Sequence, residues 1–150
     1  MEKQIFVDAD SCPVKDEIVE ITKSIGIRPC FVASYAHVTD SDKQICWKYV
    51  DSSKEAADLY ILNHVKTGDI VITQDTGLAS ILTAKKVISL SPDGHLFTEK
   101  EMQKILELRY LSAKARRQGI YDKGKKPFSN KERQKFVQQF TKILSNFAGI

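Results

Sequence analysis

From Ile5 to Leu90 the chain alternates short apolar runs with stretches whose apolar residues recur at helical spacing. Ile5-Phe6-Val7 is such a run, with two β-branched residues, and it fits a strand buried on both faces of a parallel sheet. Val14, Ile18, Ile21 and Ile25 then hold helical spacing, with Pro13 expected in the first helical turn and Gly26 as the stop. Residues 27–33 predict a second strand. Residues 34–44 are polar, with a loop at Thr39–Asp42, and Ile45–Val50 predicts a third strand. Ser52 and Glu55 have the spacing of a capping box, and the helix they open should run to about Lys66, before Gly68. Asp69-Ile-Val-Ile-Thr-Gln-Asp75 repeats the opening pattern, a β-branched run that ends in an acid and leads into a helix through Leu78 to Ala84. Lys86–Leu90 predicts a last strand and Ser91-Pro-Asp-Gly a turn.

Two helices should complete the chain. Thr98 and Glu101 form a capping box, with Phe97 and Met102 placed as a hydrophobic staple. Met102, Ile105 and Leu106 make an apolar stripe, with Arg109 in line. After a basic loop at 119–127, Ser129 and Glu132 form another capping box. Phe136, Val137, Phe140, Ile143, Leu144 and Phe147 then keep helical spacing, so this helix must pack on the body of the domain or on a partner. Strand–helix alternation argues a three-layer α/β/α fold with a mainly parallel sheet and two added C-terminal helices. At 150 residues a single domain is expected: an α/β core over 1–95 and a basic helical extension over 96–150.

Composition narrows the class. The chain is 42% hydrophobic, and no apolar run approaches the roughly 20 residues of a membrane span. A charged N-terminus leading straight into a strand argues against a signal peptide, so a cytoplasmic location is expected. Cys12, Cys30 and Cys46 are odd in number and contain no C-x-x-C pair, so free thiols are expected rather than a zinc site or disulfide framework. His37, His64 and His95 are scattered and suggest no site. Charge is more informative. Residues 96–150 carry a net +8 and residues 1–95 a net −4. A basic back behind an acidic front is the asymmetry of a protein that binds an anionic polymer, although a solvated helix face gives the same count.

The acids of the front half carry the candidate chemistry. Asp8 and Asp10 follow the first strand, at the sheet edge where ligands bind in open α/β folds. Two carboxylates about 4 Å apart repel by about 4 kcal/mol at an effective dielectric near 20, and a divalent cation or shared proton removes that penalty. Asp58 falls beside Ala57, Ile61 and Val65, an apolar surround in which an acid needs a partner. Glu55 shares its helix face at i, i+3. Asp75 ends its strand as Asp8 does, with the Thr73 hydroxyl nearby. Plainer readings stand beside these: a turn for Asp10, a capping box for Glu55, a marginal salt bridge for Asp58, a helix cap for Asp75. Asp69 lies at the opposite end of its strand and reads as structural. Oxygen donors without His or Cys favour Mg²⁺ or Mn²⁺, ions that serve phosphoryl chemistry.

VDADSCPV, EAADLYI, GDIVITQDTGLA and PFSNKERQKF together resemble the YaiI/YqxD family of uncharacterised bacterial proteins across nearly the whole chain. That family is itself similar to the PIN-domain nucleases. The resemblance implies metal-binding aspartates at Asp8, Asp58 and Asp75, with Thr73 in the T-x-D position and Asp10 or Glu55 as a further acid. It implies a Mg²⁺- or Mn²⁺-dependent nuclease on RNA or DNA, RNA ranked ahead, with homo-oligomerisation left open. Asp10, Cys12 and the basic C-terminal helices depart from the general PIN pattern. Lys114, Arg116, Arg117, Lys123, Lys125 and Lys126 would draw in the phosphate backbone. IFVDADS also resembles the opening of haloacid-dehalogenase-type phosphatases, with Asp8 as nucleophile and Asp10 as general acid, but VITQD offers one later acid where that pattern needs two. A nucleic-acid-binding protein without turnover is the third reading.

Overall fold

Ile5, Phe6 and Val7 point alternately to the two faces of a sheet, and both faces are covered, which is why all three are apolar. A computed structural model of the chain describes residues 3–10, 12–34, 46–51, 55–104, 107, 111 and 127–147. The strands are β1 (Ile5–Asp8), β2 (Cys30–Ser34), β3 (Cys46–Val50), β4 (Ile70–Ile72), β5 (Ile88–Leu90) and β6 (Leu96–Phe97). The helices are α1 (Lys15–Ser24), α2 (Ala56–His64), α3 (Thr76–Ala84) and α4 (Asn130–Phe147), and residues 99–104 are also helical. The sheet order is β3-β2-β1-β4-β5-β6, parallel throughout except for β6, which runs antiparallel to β5.

The expected three layers are present. On one face Ile5, Val7, Phe31, Ile70 and Ile72 pack with Val14 and Ile18 at α1 and with Phe136, Phe140 and Leu144 of α4. On the other face Phe6, Val32 and Val71 pack with Ile61 of α2 and Leu78 and Leu82 of α3. The last amphipathic helix therefore covers the domain's own core. Each fully buried Phe or Leu side chain contributes about 1.5–3 kcal/mol to that association. At its start Ser129 N donates to Glu132 Oε1 at 3.2 Å and Glu132 N donates to Ser129 Oγ at 3.2 Å, a complete capping box. Gly94, at φ 88, lies under this helix: a Cβ there would stand 2.6 Å from the carbonyl carbon of Lys135.

Several local expectations shift. Pro13 precedes Val14, which is the N-cap of α1, and so lies outside the first helical turn. The second strand starts at Cys30, because Pro29 has no N–H to give a ladder. Glu55 occupies the N-cap of α2 and makes no side-chain cap bond, so it does not act as the inner member of a capping box. Ser52 lies outside the described residues, as do the Thr39–Asp42 loop, Ile45, His37, Ile105, Leu106, Arg109 and the Phe147 side chain. β6 was not expected. Its two residues are too short a run to show periodicity, and it forms because the Ser91–Gly94 turn folds it back on β5, with Ser91 N donating to His95 O at 2.9 Å.

Candidate active site

The chain winds outward from β1 through β2 to β3, then crosses back to lay β4 on the other side of β1. The strand order therefore reverses between β1 and β4. In open α/β sheets a crevice opens at such a point, beyond the carboxyl ends of the strands. Asp8 is the last residue of β1, and Thr73 and Asp75 follow β4 directly. Asp8 lies two residues beyond Phe6 and so shares the face covered by α2 and α3. Asp58 stands in the first turn of α2.

Hydrogen bonds fix these groups. Thr73 Oγ1 donates to Asp8 Oδ2 at 3.0 Å and accepts from Asp75 N, also at 3.0 Å. Asp75 Oδ1 accepts from Leu78 N at 3.1 Å, so Asp75 is the N-cap of α3, as the plainer reading had it. The cap does not exclude the site. Asp75 also lies close enough to Asp58 for its carboxylate to act on the Asp58 carboxyl. Three acids from β1, α2 and the β4–α3 turn thus face one another.

Burial and crowding both act on Asp8 and Asp58. Burial pushes the Asp8 carboxyl above its ordinary value. The Thr73 hydrogen bond opposes that shift, and the charges of Asp10 and Asp75 add to it. Asp58 is pushed up to about 6, first by burial, then by the charges of Asp75 and Asp8, with the charge of Glu55 adding further.

The other predicted acids stand apart from this trio in their bonding. Asp10 Oδ1 accepts from Ser34 N at 2.9 Å, which ties the loop after β1 to the end of β2. Glu55 is exposed and reaches the cluster as a charge acting on Asp58. Asp69 is structural as expected: it is buried, and its carboxylate accepts from Gln4 N at 3.0 Å and Lys66 N at 2.8 Å. Lys114, Arg116, Arg117, Lys123, Lys125 and Lys126 lie outside the described residues. One pairing escaped the sequence reading. Cys30 and Cys46 are register partners on β2 and β3. Burial, reinforced by Cys46, pushes Cys30 up to about 12. All three cysteines are free thiols.

The donor set fits a hard divalent cation, since it offers carboxylate oxygens and a hydroxyl without His or Cys. Among the described residues no three His, Cys, Asp or Glu side chains already stand in ligating positions around one point. Asp8, Asp58 and Asp75 are the residues that would hold such a cation. Among the described residues no helix is long and apolar enough to cross a membrane.

Comparison with known proteins adds kinship. A family described as "Uncharacterized BCR, YaiI/YqxD family" matches residues 6–146. A UPF0178 protein of Bacillus cytotoxicus is 52% identical over 147 residues, covering 98% of this chain and 96% of that protein. A UPF0178 protein of Bacillus velezensis is 50% identical over 150 residues, covering 99% of this chain and 89% of that protein. A UPF0178 protein of Listeria monocytogenes is 46% identical over 143 residues, covering 95% and 96%. No solved structure matches the chain.

Proposed function

This chain belongs to the YaiI/YqxD family of uncharacterised bacterial proteins, and we propose that it is a Mg²⁺- or Mn²⁺-dependent nuclease acting on RNA or DNA. One observation carries the reading. Asp8, Asp58 and Asp75 converge at the switch point of a parallel sheet, and burial, reinforced by the charges of Asp75 and Asp8, drives the carboxyl of Asp58 to about 6. Such crowding of acids is unfavourable without a cation, and it matches the three aspartates that the resemblance to PIN-domain nucleases implies. When bound, the ion would lower the pKa of a water and neutralise charge developing on a phosphodiester. Asp8 and Asp75 would hold it, oriented by the Thr73 hydroxyl. Asp58 would become a ligand on losing its proton. Asp10 braces the loop that follows Asp8, and Glu55 adds negative potential at the rim.

The resemblance to haloacid-dehalogenase-type phosphatases has less support. Asp10, its general acid, is engaged by Ser34 N, and the turn after β4 carries Gln74 beside Asp75 where a second acid is needed. Incubation of the protein with fluorescent single-stranded RNA and DNA and a small phosphomonoester, with Mn²⁺, Mg²⁺ or EDTA, separates the readings. The nuclease reading expects metal-dependent cleavage of polymer that Asp8→Asn abolishes while binding persists. Phosphomonoester turnover with intact polymer would replace it with the phosphatase. Binding without turnover of either would leave a nucleic-acid-binding protein.

A further inference from the structure

A cleft of about 670 Å³ opens beside the acidic cluster, and Gln74 and Thr76, the two neighbours of Asp75, both line it. That volume lies within the roughly 300–1,000 Å³ of small-molecule sites. Its apolar walls include Pro13, Phe97 and Phe128, and its carboxylates are Asp93 and Glu132. Among the described residues neither Lys nor Arg lines it. A phosphate placed there would meet the Asp93 and Glu132 carboxylates. A flat, uncharged ring system with N–H donors at its edge suits it far better: the half-buried Phe128 offers an aromatic surface, and the carboxylates accept from the edge.

The cleft is preformed. Arg133 Nη1 donates to Pro13 O at 2.9 Å and Glu17 Oε1 at 2.7 Å, and its guanidinium stands 5.2 Å from the centroid of the Phe128 ring. One side chain therefore holds two of the apolar walls. The His95 ring packs edge-on against Phe97 at 5.4 Å. Ser91 Oγ donates to Asp93 Oδ1, and Glu132 Oε1 is held by the capping box of α4. Groups fixed in this way lose little freedom when a ligand arrives.

We propose that this cleft receives an unpaired nucleobase of a single-stranded nucleic acid whose backbone lies at the acidic cluster. The proposal rests on the nuclease reading for its substrate. Consecutive Cα atoms are about 3.8 Å apart, so a cleft lined by both neighbours of Asp75 lies within the span of one nucleotide. A base stacked in a duplex cannot enter a cleft lined by Phe97 and Phe128, so single strands are the substrate class that follows.

The experiment is a titration of the intact chain with uncharged nucleosides, adenosine, cytidine, guanosine and uridine, read by the amide ¹H–¹⁵N shifts of Gln74, Thr76, Ser91 and His95. The expected result is saturable, millimolar binding of at least one nucleoside, weakened about tenfold by Phe128→Ala, since stacking on one aromatic ring accounts for effects of that order. Phe128 is half-buried. Gln74→Ala, at an exposed side chain, supplies a second variant, and it should weaken binding without loss of fold. Inorganic phosphate should leave these amides unmoved. Absence of nucleoside shifts, shifts unaffected by Phe128→Ala, or shifts produced by phosphate alone would overturn the proposal. Nucleoside binding without metal-dependent cleavage would keep the base site and remove the nuclease. Cleavage without nucleoside binding would do the reverse.

Discussion

Thr73 Oγ1 donates to Asp8 Oδ2 at 3.0 Å, joining residues 65 positions apart across the β1–β4 seam. The hydroxyl is buried and accepts from Asp75 N in the same geometry, so one atom positions both acids. A hydrogen bond to a charged group is worth about 1.5–3 kcal/mol. Thr73→Val keeps the shape and removes both bonds, and it should lower the urea midpoint by an equivalent of about 2 kcal/mol. Thr73→Ser should recover most of that loss. Equal midpoints for the wild type and the valine variant would show that the hydroxyl orients nothing.

The acidic cluster sets a pH dependence opposite to that of a salt-bridged carboxylate. Asp58 has a folded pKa raised to about 6, above the roughly 3.9 of an unfolded aspartate. Between those values the folded state binds more protons than the unfolded state, so stability falls as pH rises. The contribution is complete below about pH 4 and is lost as pH climbs through about 6. Asp8 is raised too and acts in the same direction. In EDTA the melting temperature should therefore fall between pH 5 and 7 more steeply for wild type than for Asp58→Asn. Millimolar Mn²⁺ should flatten the wild-type profile by binding the ionised native state, which links metal uptake to proton release. Parallel profiles for the two proteins would remove Asp58 from the coupled cluster.

What could be read from the chain follows the range of the interactions. The alternation of β1, the capping box at Ser129 and Glu132, and the structural role of Asp69 each rest on residues within a few positions or on one strand, and all hold. The aspartates after β1 and β4 were legible because each ends a β-branched run. What stayed hidden needed the strand order. Nothing local places Cys30 beside Cys46, Ser34 N against Asp10, or Arg133 against Glu17, because those contacts follow from which elements lie side by side. The cleft lined by Phe97 and Phe128 was hidden for the same reason: its walls come from four separate parts of the chain.

Two glycines test how α4 docks. Gly26 and Gly94 both have positive φ, at 75 and 88, but a Cβ at Gly26 meets nothing within 4 Å. At Gly94 it meets the carbonyl carbon of Lys135 at 2.6 Å and Phe136 N at 2.7 Å. Gly26→Ala should therefore cost only the left-handed strain, about 1–2 kcal/mol. Gly94→Ala adds a backbone collision and should cost about 3 kcal/mol or more, with α4 displaced from the β5–β6 turn. Urea denaturation of the pair decides the matter, and similar losses would mean that the turn yields without disturbing the helix.

Arg133 and Glu17 should behave as a coupled pair. The guanidinium reaches from α4 to α1, and its partner Glu17 is only 22% exposed at the side chain, with Oε2 buried and lacking a hydrogen bond. Removing the arginine leaves that carboxylate half-buried and unpaired, which is the costly way to break an ion pair. Arg133→Met retains most of the apolar stem, so its loss isolates the charge and its bonds. The single variant should lose about 2 kcal/mol. In Arg133→Met with Glu17→Gln the stranded charge is gone, and the loss should shrink to about 1 kcal/mol. Glu17→Gln alone completes the double-mutant cycle in urea, and the double variant should lose less than the two single losses added together. Because Arg133 also fixes Pro13 and Phe128, nucleoside binding should weaken in both variants alike, whether or not stability is recovered. Strict additivity of the two substitutions would show that the Arg133–Glu17 contact is a surface pair of no consequence, and that the capping box and buried phenylalanines hold α4 in place without it.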